Sequence, residues 1–490
     1  MDIVIFGSGE VGKRAVQLLN KDYHILFLVD NNEKKWESTV EEYRIKSPEE
    51  IRKNECDVVI ASARYGIEIA DQLDRMGIDR ERIWFFRSFG VDGIHGYDIY
   101  PLEEELVNNT AVPLVQYDLL HQSEHPSEVK RVLVLCTFYS TYTKQLIENM
   151  SDIYTDIEFS VLTSTKEYAQ KVALGKLKHI YCFQTMADLK TILEQLPVYD
   201  ALQLLWIERE WAYFHKLIRQ KAVRLNLNVG GSDFYRTGKG EKDFKKNLIS
   251  CADTITAETE RTVQEFQYYY GNLTKGKMGL LPFGIEVLEE IDKCRERSLD
   301  VVRQRYHIPI GKIVVTCGHN ANDAHQHKAM IQAVGGLSET AKEQIVCVLP
   351  MTYPQGREAY IEEMAALLKK TGVQFVILTK FMDFQEMAEY ALLSDIMIHV
   401  QKTDQLSSTM LEEMYAGSVV IAGKWLPYQS LHRMGIFFLD VDSMSDITGA
   451  LEDVIGNMGE YRKRCEENRE LIRRHSSWSE VAPKWHALWE

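Results

Sequence analysis

The chain has 490 residues, 45% of them apolar and 26% charged, so it reads as a globular protein too long for one core, with two or three domains expected. Its net charge of −15 argues against general nucleic-acid binding, which needs a basic surface to displace counterions. Eight scattered cysteines with no paired spacing fit a reduced compartment, the start lacks a signal pattern, and no apolar run reaches the ~20 residues of a spanning helix. A cytoplasmic protein is expected, with any membrane contact peripheral and at the inner face.

The first predicted elements are a strand (Ile3 to Phe6), a turn with Gly7, Gly9 and Gly12 spaced GxGxxG, a helix, and a second strand ending at Asp30. This is the dinucleotide fingerprint: glycines for a tight turn and close backbone approach, an acid for a ribose hydroxyl. The pattern continues helix, strand (Val58–Ala61), helix, and a last strand near Phe86. Residues 1–100 are too short for a cofactor domain with its own substrate domain. Neither a Tyr-x-x-x-Lys pair nor a cysteine follows between residues 60 and 125. A small Rossmann-like accessory module, removable without loss of the rest, is therefore expected. An NAD-dependent oxidoreductase and a non-catalytic scaffold are the alternatives. Residues 101–129, with Pro113 and Pro126, read as a connector.

Two further α/β runs follow, opening on "RVLVLCTF" at Arg131 and "KIVVTCGH" at Lys312, each continuing with five more strand-like segments. Between them, the basic segment Arg236 to Asn247 reads as a solvated loop rather than a phosphate or membrane contact. The tail holds Trp478, Trp485 and Trp489 and reads as an amphipathic helix that needs an apolar surface.

Ser407, Ser408 and Thr409 stand where a helix should begin, and its free N–H groups and dipole would favour a diphosphate, with plain capping as the competing reading. Asp233, behind Gly230 and Gly231, is the candidate base for an acceptor hydroxyl; an Asx turn is its competing reading, and Glu208 and Glu210 are rival bases. His325 and His327 have no convincing third partner, so no metal site is expected. Asp440 and Asp442 match a DxD pattern but read as a strand-end turn.

"LNVGGSDFYR", "LLPFGIEV" and "SSTMLEEMYAGSVVIAG", in this order, resemble bacterial glycosyltransferases of the GT-B fold. "GHNANDAHQH" (Gly318 to His327) and "LPMTYPQGREAYIEEM" (Leu349 to Met364) resemble, more narrowly, the TDP-N-acetylfucosamine:lipid II N-acetylfucosaminyltransferase family, over roughly residues 130 to 440. The opening fragment is similar to small Rossmann-like domains found before polysaccharide enzymes. The resemblance implies an α/β chain with two facing Rossmann-like domains, an acceptor domain (130–295) and a donor domain (296–475), preceded by a small third one. A C-terminal helix (476–490) would pack back across the cleft. It implies a metal-independent sugar transferase with a nucleoside-diphosphate sugar as donor, no resident cofactor, and a glycan or lipid-linked acceptor. Glu412 would accept bonds from the nucleotide ribose, and Asp404 would face the donor sugar. His319, Asn320, His327 and Tyr353 would meet phosphate or sugar oxygens, with Lys402 or Lys328 as candidate local cations.

Overall fold

The computed structural model describes residues 2–62, 66–89, 96–101, 129–137, 140–164 and 176–490. The expected connector, with Pro113 and Pro126, lies almost wholly outside these residues. The chain divides into two compact units. One comprises residues 1–256, 266–279 and 486–490; the other comprises 257–265 and 280–485.

The first unit contains two sheets. The first is built from β1 (Asp2–Phe6), β2 (His24–Val29), β3 (Thr39–Val40), β4 (Tyr43–Lys46), β5 (Asp57–Ile60), β6 (Ile83–Phe89) and β7 (Gly96–Pro101), in the order β3-β4-β2-β1-β5-β6-β7. Its central strands are covered on both faces, which is why they read as unbroken apolar runs. Val4 and Phe6 pack with Val58, Ile60 and Phe85, while Ile3 and Ile5 pack with Ala15, Val16 and Leu19. One expectation is corrected here. No α-helix joins β2 to β5; the polar stretch between them forms the antiparallel β3–β4 pair and a 3₁₀ turn, Pro48–Lys53. Pro48 suits a helical start but the stretch is short, and Ile45 instead pairs beside Leu28 and buries itself. The edge strand β7 runs antiparallel to β6.

The second sheet uses β8 (Lys130–Leu135), β9 (Ile157–Thr163), β10 (Leu177–Cys182), β11 (Tyr199–Leu204), β12 (Ala222–Asn228), β13 (Thr254–Ala257) and β14 (Met278–Leu280), in the order β10-β9-β8-β11-β12-β13-β14. It is joined to the first sheet around one buried arginine. The Arg209 guanidinium lies over the Phe85 ring at 5.2 Å and the Phe244 ring at 4.8 Å. Glu241 approaches it at 3.5 Å and is met on its other oxygen by Lys245 at 3.6 Å, and all three charged side chains are buried. Nearby, the Gly240 N–H donates to Glu68 of the first sheet's helix Gly66–Arg75 (3.2 Å). Lys242 sits over Phe234 and Tyr269 at 4.2 and 4.9 Å. The segment expected to be a solvated loop therefore turns two of its lysines onto the protein. An ammonium beside an aromatic face or a buried carboxylate is held there, not at a surface free to meet an anion.

The second unit holds the third sheet: β15 (Ile313–Cys317), β16 (Ile345–Pro350), β17 (Gln374–Leu378), β18 (Ile396–His399), β19 (Val419–Gly423) and β20 (Leu439–Val441), ordered β17-β16-β15-β18-β19-β20. It too is buried on both faces, with Val315 and Cys317 in one cluster and Val314, Val346 and Val348 in another. The segment "PFGI" is fixed within this unit. The Trp485 indole N–H donates to the Pro282 carbonyl (3.1 Å), and Ile285 N–H donates to Ser476 O (2.8 Å). A Cβ on Gly284 would lie 2.3 Å from the Trp478 ring, so only glycine fits.

The final helix, Trp478–Trp489, contains Pro483 and buries all three tryptophans. Its first eight residues belong to the second unit, while Trp489 belongs to the first, where its indole N–H donates to Gln203 Oε1 (3.1 Å) and its ring meets Phe159. Among the described residues, no helix is long and apolar enough to cross a membrane.

Candidate functional site

Each sheet has one point where the chain reverses direction along the strand order, and open parallel sheets leave a crevice there beyond the strand ends. These points lie between β1 and β5, β8 and β11, and β15 and β18.

In the third sheet, the loops after β15, β16 and β18 are laced together at this point. Ala321 N–H donates to Tyr353 O (2.7 Å), and Arg357 Nε donates to Ala321 O (3.0 Å). Lys402 N–H donates to Ala324 O (2.9 Å), and Gln326 Nε2 donates to Val400 O (2.6 Å). The segments "GHNANDAHQH" and "LPMTYPQGR", separate in sequence, thus form one wall.

Gly318 takes φ +68°, and a Cβ on it would lie 2.7 Å from His327 Nε2. His327 opens the helix His327–Gly335 and is fully buried, with Nδ1 on the Tyr360 hydroxyl (3.0 Å) and Nε2 without a partner. Burial pushes its pKa down to about 4, so the ring is neutral at physiological pH. His319 stacks parallel to His399 at 6.1 Å and meets His325 edge-on at 4.2 Å. Asn320 accepts from Asn322 N–H (2.8 Å) and bonds the Tyr353 hydroxyl. Among the described residues, no group of three or more histidines, cysteines or acids is arranged to hold a metal ion.

The helix after β18 is Ser408–Ala416, closed by Gly417 at φ +118°. Ser407 caps it, its hydroxyl accepting from Met410 N–H (3.2 Å); Ser408 and Thr409 fill the first turn. One turn on, Glu412 is 5% exposed and has no hydrogen-bond or ion-pair partner among the described residues. Burial alone raises its pKa to about 8. Tyr353 lies within its electrostatic reach. Glu413 points elsewhere and accepts from the Ser418 hydroxyl (2.8 Å), and burial lifts it to about 8 as well.

Asp404 is anchored by a group the sequence does not reveal. The Tyr428 hydroxyl donates to its Oδ2, and His399 Nε2 lies 3.5 Å from that oxygen and 2.9 Å from the Tyr428 oxygen. Since the tyrosine proton goes to Asp404, His399 Nε2 is the donor to the tyrosine. Burial works to raise Asp404, but the His399 and Tyr428 bonds outweigh it and hold the carboxyl below its usual range. Gln405 next door donates to Glu258 (3.1 Å), whose pKa burial raises to about 7. The candidate cations are spent locally, Lys402 on Asp323 at 3.8 Å and Lys328 on Glu363. Asp440 and Asp442 do not act together: one meets His432 (2.9 Å), the other Lys424 (2.8 Å).

In the second sheet, Asp233 is 9% exposed. Its Oδ2 accepts from Ile207 N–H (2.7 Å) and its Oδ1 is buried without a partner. Burial raises its pKa, opposed by Lys245. Glu208 accepts from the Thr137 hydroxyl (2.7 Å) and the Trp211 indole (3.3 Å). Burial first, then the charges of Glu210 and Asp233, move it to about 8. The three carboxylates proposed as rivals therefore form one electrostatic group.

In the first sheet, Gly7 takes φ +118°, with Ala61 O 2.5 Å from where its Cβ would stand; Gly12's Cβ would lie 2.0 Å from Gly7 O. Both glycines serve strand–helix packing, whereas Gly9 has open space around it. Asp30 is already engaged. Its Oδ2 accepts from Ser8 N–H (3.1 Å), the Ser8 hydroxyl and Lys35 (2.9 Å), and its Oδ1 accepts from Asn32 N–H (2.9 Å). Burial opposes ionisation, yet these bonds keep the carboxyl below its usual range.

A family model described as C2185-like, N-terminal, matches residues 1–84. No curated protein matches the chain. Solved structures that resemble it include HepE from Anabaena in complex with UDP and glucose (TM-score 0.58, 13% identity, covering 73% of this chain and 98% of that one). A glycosyltransferase from Rickettsia africae is similar (TM-score 0.60, 11% identity, 74% and 98%). So is a sucrose-phosphate synthase from Thermosynechococcus elongatus (TM-score 0.58, 12% identity, 74% and 98%). At such identities the likeness speaks of fold: the second and third sheets are the Rossmann-like pair of a GT-B chain, and the first is an additional Rossmann-like sheet ahead of them.

Proposed function

We propose that the protein is a glycosyltransferase whose second unit binds a nucleoside-diphosphate sugar at the β15/β18 crevice. One observation carries this reading: Glu412, buried and partnerless, stands one turn beyond the start of the Ser408–Ala416 helix. A buried carboxylate without donors is costly in an empty site and becomes favourable once ribose hydroxyls supply them. The first-turn N–H groups, with Ser408 and Thr409, are placed to meet the diphosphate. As the anomeric C–O bond breaks, its electron pair leaves with the diphosphate, and donors fixed beforehand favour that charge. His327, whose Nε2 has no partner, and the bonded Asn320 line the same wall. HepE, solved with UDP and with UDP-glucose, supports a donor of this class.

The finer parts of the reading rest on the resemblance of "GHNANDAHQH" and "LPMTYP" to N-acetylfucosaminyltransferases. The sugar goes to a hydroxyl of a glycan or lipid-linked acceptor in bacterial surface-polysaccharide synthesis, at the cytoplasmic side of the membrane. Asp233 or its neighbour Glu208 is the base, and neither a resident cofactor nor a metal takes part.

Calorimetric titration with UDP, TDP, GDP and CDP tests the donor site. Replacing Ser408 and Thr409 together by Ala is expected to weaken the preferred nucleoside diphosphate by about 1–3 kcal/mol, the range for lost bonds to charged groups. Unchanged affinity in a folded double variant would move the donor site elsewhere.

A further inference from the structure

The outermost strands of the three sheets are not alike. Among the described residues, β3 is two residues long, and β14 and β20 are three. β7 carries Asp98 and Pro101, while β10 carries Lys178 and His179 and shifts register between Leu177 and His179. Short length, charge, proline and irregular pairing all keep an open edge from pairing with another chain. β17, at the edge of the third sheet, has none of these. It is five residues long, uncharged, and in unbroken register with β16.

The two faces of β17 are covered. Phe375 and Ile377 pack on one core cluster and Val376 and Leu378 on another, yet all four stay half-buried. What lies open is a row of backbone groups. The Leu378 carbonyl is turned toward β16, where it accepts from Met351 N–H (2.7 Å). Alternation along the strand then turns the N–H and C=O of Phe375 and Ile377 outward, with Val376 between them.

That row is complementary to itself. Antiparallel strands exchange both bonds within a hydrogen-bonded residue pair, so a two-fold axis through Val376 joins Phe375 of each copy to Ile377 of the other. The ends match as well. Lys369 and Lys370, both exposed, precede the strand, whereas exposed Asp383 and the Lys380–Glu386 pair follow it and leave a net negative end. Antiparallel pairing sets the basic start of each strand near the acidic end of the other. Phe381, 61% exposed, extends the apolar surface just past the strand.

We propose that β17 is the contact edge of a homodimer, in which two copies of this chain pair β17 to β17 antiparallel and continue the third sheet from one copy into the next. The proposal does not rest on the donor reading, since β16 and β15 separate β17 from the β15/β18 crevice.

Sedimentation velocity of the full chain over about three decades of concentration tests it. The mass is expected to rise from one chain to two, and amide hydrogen exchange across residues 371–382 to slow as the dimer fills. Val376→Lys sets two ammonium groups opposite each other across the axis and should weaken the dimer about tenfold or more. Lys369→Glu with Lys370→Glu turns the attraction between strand ends into repulsion, with a loss of about tenfold at low salt. Both lysines are exposed, so the double variant remains decisive if Val376→Lys does not fold. UDP affinity, expected level in both variants, reports separately on the donor site. A chain that stays single at every concentration would overturn the proposal and leave the edge to an extended segment of another protein. A dimer of undiminished affinity in the double variant, or one whose formation leaves exchange across 371–382 unchanged, would overturn it too.

Discussion

Nucleoside-diphosphate affinity is expected to rise with pH up to about pH 8 in the unsubstituted protein, and to lose that dependence in Glu412→Gln. Without nucleotide, burial keeps Glu412 protonated until about 8, so at pH 7 one of its oxygens carries a proton. Only by losing it does the carboxyl present both oxygens as acceptors of full charge to the ribose hydroxyls. Binding therefore expels a proton, and each pH unit below 8 costs up to about 1.4 kcal/mol of affinity. Titration at pH 7 in buffers of different ionisation enthalpy counts the proton directly. A binding enthalpy that ignores the buffer would remove Glu412 from the nucleotide site. The same carboxyl sets a stability trend. Its folded pKa lies above the unfolded value of about 4.5, so its contribution is fully present below that value and is lost as pH rises through 8. At pH 7 an unfolded chain gains ionisation that the folded one forgoes, on the order of 3 kcal/mol. Glu412→Gln should then melt at a higher temperature while binding worse. Glu413 and Glu208, also lifted to about 8, tilt the empty protein the same way.

The second large effect is expected at Glu241→Ala. Glu241 balances Arg209 and Lys245 in a place where all three are under 9% exposed. Removing one partner of a buried ion group strands the others, at about 3–5 kcal/mol. Thermal unfolding checks this, and a loss below about 1 kcal/mol would show that water reaches the group. The same place changes the expectation for truncation. Read from sequence, the first module looked removable. Because Phe85 and Glu68 cover Arg209 and the Gly240 N–H, deleting it should lower the melting temperature of what remains.

Most strands were legible because parallel strands buried on both faces show as apolar β-branched runs, as in "KIVVTCG" and "QIVCVLP". The β3–β4 pair was not, since its polar residues carry no helical or strand period and its pairing is decided by Leu28 beside Ile45. The helix at Ser408 was legible from its cap and Gly417, and the divergence of Glu412 from Glu413 follows from the 100° turn per residue. The Tyr428–Asp404–His399 group was illegible, because Tyr428 follows β19 and meets His399 and Asp404, at and just beyond the end of β18, only through the pairing of those two strands. Lys245 misled for a similar reason: a charge run looks solvated until one of its members finds a buried acid.

The shared final helix has a consequence for synthesis on the ribosome. The first unit needs Trp489 over Phe159 and against Gln203, yet nearly all of its other residues are made before the second unit begins to emerge. Its apolar Phe159 face must wait, uncovered, while more than two hundred intervening residues are translated and collapse. A nascent chain stalled before Trp489 would therefore expose a sticky surface that holdase chaperones recognise, and ribosome profiling of such stalled chains would find them engaged there.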